Sequence, residues 1–382
     1  MRWLLPPGIE DLLPTQAEAL ECSRRSLLDL FAAWGYRLVM PPLVEFADAL
    51  LTGTGSDLAQ QTFQVTDPVS GRLLAIRADI TPQVARIDAR DADPAPARLC
   101  YLGSVLTTQI ASLDASRNPM QVGAELYGHA GPQSDVEILR LMLATLSATG
   151  HNSAHVDLGH VGILRGLADA AGLDAEAENT LFELLQRKAG TDIAQFVGSL
   201  DLDPAARAWF TGLPQWFGPI GALPALRATL TGLPPAVAAA LDELTGIAGE
   251  LLRFEPDLPL FFDLAELRGY HYHTGLVFAA YSAGFGQAMA WGGRYDGIGR
   301  VFGRARPATG FSADLKRLLA IAQDPPPPVL APWVSDPELT ALVQRLRSAG
   351  HRVVYDLPGS DPGAIGERIV RRDGGWTLPN SG

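Results

Sequence analysis

Three pairs of polar residues fall within stretches that otherwise read like strands: Arg77 and Asp79, Gln121 and Glu125, Arg268 and Tyr272. Polar groups drawn into a sheet need partners, and hydrogen bonds within the sheet are the simplest assignment. Charged groups of both signs at strand ends in separate segments more often line a small-molecule pocket, here one suited to an amphoteric ligand such as an amino acid. His271 and His273 are expected to share one face of a strand, because side chains alternate with a period of two. No cysteine or second-strand carboxylate accompanies them at ligand spacing, so a polar cavity wall or a pair of internally satisfied histidines is expected and not a metal site. The chain has no G-x-x-x-x-G-K-[ST] sequence, and Lys188 and Lys316 are its only lysines. A phosphate-cradling loop of that type is excluded. Leu51 to Ser56 contains glycines but does not open a helix after a strand, and reads as a loop.

The elements that must position these residues follow from periodicity. Ala17 to Trp34 carries leucines and a phenylalanine at three- and four-residue spacing, an amphipathic helix that Gly35 ends. Tyr36 to Met40 alternates like a strand until Pro41-Pro42. Phe63–Val65 and Leu73–Ile76 flank Asp67-Pro68-Val69-Ser70-Gly71, turn chemistry that predicts a hairpin. Thr81 to Arg90 reads as a helix with Pro82 in its tolerant first turn. Residues 98–106 and 120–128 are strand-like around a polar loop, 134–149 helical and 154–158 a strand. From 162 to 253 the Ala/Leu-rich character predicts an inserted helical region. Strands are expected at 261–264 and 270–281, a polar turn at Gly292-Gly293-Arg294-Tyr295-Asp296-Gly297, and a strand running into a helix at 310–321. The tetraproline 325–328 reads as a stiff linker. Beyond it, strands at 329–334 and 351–355 and helices at 337–349 and 362–371 make a small α/β unit. The expected division is 1–324 and 325–382.

The chain has 382 residues, 47% of them hydrophobic and 19% charged, with a formal net charge of −12 at pH 7. That composition belongs to a folded protein and argues against wholesale disorder. Clustered Arg and Lys are needed to grip phosphates, so the acidic balance disfavours a nucleic-acid binder. No uninterrupted apolar run reaches the ~18 residues of a spanning helix, and Met1 to Pro7 is too short and proline-rich for a secretory segment. A cytoplasmic, membrane-free protein is expected. Cys22 and Cys100 are the only cysteines, too few for a disulfide framework or structural zinc.

Gly8-Ile9-Glu10-Asp11-Leu12-Leu13-Pro14, Gly35 to Glu45, Arg77-Ala78-Asp79-Ile80-Thr81-Pro82-Gln83, Gln121 to Gly128 and Gly292 to Gly297 occur in the order found in class II histidyl-tRNA synthetases. The resemblance spans residues 5 to about 322. It implies an α+β fold: an antiparallel sheet flanked by helices, with a helical insertion between the second and third class-defining motifs. It also implies a histidine pocket. Asp79 and Thr81 correspond to the acidic residue and threonine of R-P-E-G-T, Gln121 and Glu125 to Q-x-G-x-E, Arg268 and Tyr272 to the arginine and first tyrosine of R-G-L-D-Y-Y, and Tyr295 to G-G-R-Y-D-G. Arg117 joins this histidine-binding set by resemblance. The likeness assigns Glu125 and Tyr272 to the imidazole, Asp79, Thr81 and Gln121 to the α-amino group, and Arg268 to the carboxylate.

The ATP side departs from the synthetase pattern. Leu106-Thr107-Thr108-Gln109 stands where F-R-H-E belongs, placing Thr107 at the phosphate-gripping arginine. Such an arginine is worth roughly 10³ to 10⁵ in rate, and a hydroxyl supplies neither its charge nor its fork. Asp314-Leu315-Lys316-Arg317 replaces G-[LI]-E-R, so a carboxylate is expected to repel triphosphate. A full-size anticodon-binding domain has no counterpart in the short unit after the tetraproline. With Thr52-Gly53-Thr54-Gly55, Gly103-Ser104-Val105-Leu106, Gly123 to Gly131 and Asp157-Leu158-Gly159-His160-Val161-Gly162, the chain resembles the family of ATP phosphoribosyltransferase regulatory subunits more than active synthetases. That resemblance implies a non-catalytic, cofactor-free and metal-free subunit. It would self-associate as a homodimer and join short-form catalytic subunits in a hetero-octamer, activating the first step of histidine biosynthesis and conferring feedback by histidine, without tRNA. The alternatives are a synthetase-like enzyme that activates histidine or a related amino acid without tRNA, and a histidine sensor with an unrelated partner.

Overall fold

The computed structural model describes residues 4–53, 56–91, 93–109, 116–319, 326–359, 361, 363, 365–372 and 374–379. It divides into two compact units, Met1–Ala320 and Ile321–Gly382. The division falls in a segment that, with Pro325 of the expected linker, lies outside the described residues.

The first unit opens with α1 (Pro14–Ala33), which buries Leu20, Leu27 and Phe31 and starts three residues before the periodic stretch because Pro14 fits a helix N-terminus. Next come β1 (Arg37–Leu38), β2 (Val44–Phe46), the short helices α2 (Ala47–Leu50) and α3 (Ser56–Gln61), and β3 (Phe63–Thr66) and β4 (Leu73–Ile76). β3 and β4 form the hairpin, joined by β2 into a three-stranded sheet. α4 (Thr81–Arg90), β5 (Ala97–Ser104), β6 (Met120–Tyr127), α5 (Pro132–Ala148) and β7 (His155–His160) follow. The inserted region contributes α6 (Val161–Ala170), α7 (Ala175–Gln186), α8 (Gly190–Ser199), α9 (Pro204–Gly212), β8 (Phe217–Pro219), α10 (Leu223–Thr229) and α11 (Pro235–Phe254). The unit closes with β9 (Leu260–Asp263), β10 (Leu276–Tyr281), β11 (Ala290–Arg294), β12 (Ala308–Asp314) and α12 (Leu315–Leu318).

Nine strands form the main sheet in the order β1-β5-β6-β12-β11-β10-β7-β9-β8. Every pairing is antiparallel except β1 with β5 and β7 with β9. The main apolar core packs α1, α5, α6 and α11 with inward residues of β6, β7 and β10, including Leu139, Met142, Leu158, Leu244 and Phe278. Burial of these side chains is the main stabilising contribution, at about 1.5–3 kcal/mol each. The sheet is pinned to α5 by one buried ion pair. Arg294 at the end of β11 donates from Nη2 to Asp135 Oδ2 at 2.6 Å and to Ser134 Oγ at 2.9 Å.

Four local readings are corrected. The inserted region is not purely helical: β8 extends the sheet edge by pairing with β9, and Pro219 is tolerated because an edge strand needs no outward donor. Gly292, Gly293 and Arg294 belong to β11, not to a turn; a Cβ on Gly292 would overlap the Gly310 carbonyl, so glycine there serves close strand approach. Residues 270–275 precede β10 as turns, so His271 and His273 do not share a strand face. In the second unit, β13 (Val329–Ala331), α13 (Pro337–Ser348) and β14 (Val353–Tyr355) form as expected, whereas the helix read over 362–371 is absent among the described residues. Residues 362 and 364 lie outside them, and Val370–Arg372 (β15) instead pairs with Gly375–Thr377 (β16) across the Gly374 turn. A cross-strand ladder satisfies those backbone groups better than a glycine- and proline-interrupted helix.

Removing one partner of a buried ion pair leaves the other charge uncompensated. Arg294→Met is therefore expected to lower the unfolding free energy by about 3–5 kcal/mol, measured by urea denaturation; an unchanged midpoint would show that the pair does not anchor α5 to the sheet.

Candidate functional site

The site starts with Glu125. It lies on β6 directly opposite Gly310 of β12, where any Cβ would overlap its carboxylate. Its carboxylate is fully buried, and its hydrogen-bond partners are hydroxyls and not a cation. Thr81 Oγ1 donates to Oε1 at 3.0 Å, Tyr101 OH donates to Oε1 at 3.1 Å, and Tyr295 OH donates to Oε2. Loss of solvent pushes its pKa up to about 8 against the pull of those hydroxyls, and the nearby Asp79 charge adds to the rise.

Asp79 occupies the turn between β4 and α4, where local bonds hold it. Its Oδ1 accepts from Thr81 N at 3.1 Å and from Gln121 Nε2 at 2.7 Å, while Gln121 Oε1 accepts from Ile80 N at 2.9 Å. Arg77 braces the same turn by donating to the carbonyls of Ser104 at 2.9 Å and Pro41 at 2.7 Å. It is structural, as is Gln121, whose amide is occupied from both ends.

Between β9 and β10 the chain turns tightly. Gly269 adopts φ +65°, and its carbonyl accepts from the amides of Tyr272 and His273, both at 2.8 Å. Tyr272 thereby stacks on Tyr295, ring centroids 5.0 Å apart, and its buried hydroxyl has no hydrogen-bond partner. The Arg268 guanidinium lies 6.0 Å from the centroid of Trp291. His273 is buried beside them, and desolvation lowers its pKa to about 4, so it is neutral at pH 7. Its Nδ1 is 3.3 Å from the Arg294 carbonyl.

These elements enclose a cavity of about 340 Å³. Asp79, Thr81, Glu125, Arg268, Tyr272 and Tyr295 line it. Gln121 and Arg117 do not: Gln121 stands behind Asp79, and the Arg117 guanidinium donates to the carbonyls of Thr107 at 3.0 Å and Pro7 at 3.4 Å. Asp314 is also turned away. Its Oδ1 accepts from the amides of Met120 and Lys316, both at 3.1 Å, which caps α12 in place of presenting a charge to a ligand. The Thr107 hydroxyl donates to the Gln109 carbonyl at 2.8 Å.

The lining places an anionic side chain, a guanidinium, an orphaned phenol and a buried carboxyl around one small volume. That set can hold an ammonium, a carboxylate and a hydrogen-bonding ring together. Among the described residues no cluster of His, Cys, Asp or Glu could hold a metal ion, and no helix is long and apolar enough to cross a membrane.

Residues 8–318 match the family described as histidyl-tRNA synthetase, and residues 326–379 match the ATP phosphoribosyltransferase subunit HisZ C-terminal domain. The ATP phosphoribosyltransferase regulatory subunit of Methylococcus capsulatus is 56% identical, over 98% of this chain and 94% of that protein. Its counterpart from Alkalilimnicola ehrlichii is 53% identical, over 98% and 96%. The chain belongs to the ATP phosphoribosyltransferase regulatory subunit family. A solved Bacillus halodurans protein described as an ATP phosphoribosyltransferase regulatory subunit/histidyl-tRNA synthetase superposes with a TM-score of 0.82 at 26% identity, covering 94% of both chains. Histidyl-tRNA synthetase from Nostoc shares the fold at 17% identity, with a TM-score of 0.77 over 94% of this chain and 87% of that one.

In this regulatory-subunit chain the motifs missed several lining residues. Phe182 and Gln186 come from α7 of the insertion, and Leu58 and Gln61 from α3. Phe182 looks like one more apolar position of an amphipathic helix, and nothing in its spacing separates a cavity wall from core. His271 and His273 both line the cavity, in keeping with the expected polar wall, although they do so from a turn and not from a strand face.

A carboxyl whose folded pKa lies above its unfolded value keeps a proton that the unfolded chain has released. Its contribution therefore makes stability fall as pH rises from about 4.5 to about 8 and level off above. Glu125→Gln removes that component, and the decline of Tm between about pH 5 and 8 is expected to be shallower in the variant by calorimetry. Equal slopes would mean that the carboxyl titrates normally.

Proposed function

We propose that this chain is the non-catalytic partner of a short-form ATP phosphoribosyltransferase at the first step of histidine biosynthesis, and that its cavity takes free histidine as the effector of feedback control. The observation that carries the reading is that Asp79, Thr81, Glu125, Arg268, Tyr272 and Tyr295 converge on one cavity, in a chain whose phosphate-gripping position is Thr107. Arg268 supplies the charge for the α-carboxylate, and Asp79 with Thr81 receives the α-amino group. Glu125 and the unpartnered Tyr272 hydroxyl flank the imidazole. A neutral Glu125 donates a proton to an unprotonated ring nitrogen, whereas an ionised one accepts from N–H; either form pairs with an imidazole but not with an aliphatic side chain. Gln121 acts by holding Asp79, and Arg117 by holding the segment that follows β5. We further assign a cytoplasmic location, a homodimeric state and a hetero-octamer with the catalytic subunit.

Control requires that histidine bind one conformation of the assembly more tightly, and a coupling of about 1–3 kcal/mol is typical. Isothermal titration of histidine is expected to show affinity lowered about ten-fold or more in both Glu125→Ala and Arg268→Ala. Unchanged affinity in both would place the effector site elsewhere, for example against the catalytic subunit.

The synthetase-like alternative needs an activated phosphate. With no arginine at position 107, histidine-dependent pyrophosphate exchange is expected to stay at background even at millimolar histidine and ATP. Measurable exchange would overturn the non-catalytic reading. Co-purification with the short-form phosphoribosyltransferase, with and without histidine, separates this role from that of a sensor with another partner.

A further inference from the structure

Arg165 projects from α6, the first helix of the insertion, and is not among the residues lining the cavity. Its guanidinium fork nevertheless ends on the cavity's most exacting segment. Nη1 donates to the His273 carbonyl at 2.9 Å, and Nη2 donates to the Tyr270 carbonyl. These two acceptors flank His271 and Tyr272 along the chain, so one planar cation spans the turn that aims the Tyr272 ring. The same guanidinium stands 4.7 Å from the centroid of the Tyr270 ring. Tyr270 is held in turn by α7: its ring stacks on Phe182 at 5.1 Å, and its hydroxyl donates to Glu178.

Among the described residues that line the cavity, Tyr272 is the one with a buried side-chain polar atom that lacks a partner. Its hydroxyl is buried without a partner, and its ring rests on Tyr295. A buried phenol left unpaired is costly, and the cost is recovered only if a ligand atom arrives where the hydroxyl points. Direction therefore decides its usefulness, and backbone carbonyls held at two points by a rigid fork set direction better than a single contact does.

We propose that Arg165 is the positioning residue for Tyr272, so that the inserted helices set the cavity's affinity for an imidazole-bearing amino acid without supplying the contact. This rests on the reading that histidine occupies the cavity. Arg165 is not replaceable by lysine in this role, because an ammonium on a flexible stem lacks the fixed two-pronged geometry.

The test is a double-mutant cycle read by isothermal titration of histidine into the whole chain: parent, Arg165→Met, Tyr272→Phe and the double variant. Arg165→Met is expected to weaken binding about ten-fold, and the double variant to bind no more weakly than Tyr272→Phe alone, because Arg165 acts through the hydroxyl that Phe lacks. Losses that multiply would overturn the proposal, since a general loosening of the fold weakens binding whichever residue stands at 272. Should Arg165→Met fail to fold, Arg165→Lys replaces it in the same cycle; affinity equal to the parent in that variant also overturns the proposal. The reading beneath it fails separately. If Glu125→Ala and Arg268→Ala leave histidine affinity unchanged, the cavity is not the site; if they abolish binding and the Arg165 variants do not change it, only the positioning role is lost.

Discussion

A carboxyl group with no cation beside it, enclosed by three hydroxyls, is the constraint around which the cavity is built. Glu125 can be buried only because Thr81, Tyr101 and Tyr295 supply donors, and because Gly310 leaves space above it. Each requirement reaches into a different part of the chain: α4, β5, the end of β11 and β12. The sheet register that sets Glu125 opposite Gly310 thus shapes the cavity as well as the sheet. Buried polar networks of this kind are stable when every member is satisfied; among the described residues that line the cavity, the Tyr272 hydroxyl is the one buried side-chain polar atom without a partner.

Around that carboxyl the chain separates two kinds of polar residue. Asp79, Arg268 and Tyr272 face the cavity, whereas Arg77, Gln121 and Arg117 are bound to backbone groups or to each other's neighbours and keep the first set in place. The division follows hydrogen-bond capacity. A guanidinium that already donates to two carbonyls, or an amide used at both ends, has little left for a ligand. Arg294 with Asp135 performs the same service on a larger scale, tying the strand that leads to Tyr295 to the N-terminus of α5.

The insertion belongs to this arrangement and is not an appendage. Phe182 and Gln186 close one wall, Glu178 receives the Tyr270 hydroxyl, and Lys188 Nζ donates to Asp263 Oδ2 at 2.6 Å, shortly before the turn at Gly269. A fold shared with synthetases thus keeps an amino-acid-sized cavity in a chain where Thr107 and Asp314 are both committed to local backbone bonds.

Helix and strand periodicity, the proline and glycine boundaries, and the ordered motifs were legible along the chain because each depends on near neighbours. α1, the 63–76 hairpin and α4 were readable for that reason, as was the family likeness. The choice among polar residues was not. Tyr295 and Glu125 are 170 residues apart and meet only through the β6-β12-β11 order. Gln121 and Glu125 share one strand and one motif, yet only Glu125 reaches the cavity, because the Asp79 turn intercepts the glutamine first. Gly292-Gly293 carried the composition of a turn and became strand because neighbouring backbones needed the room. Sequence alone determined which chemistry was present and in what order; the tertiary register decided which groups face the ligand space, since contact between distant segments is set by pairing and packing that no local pattern encodes.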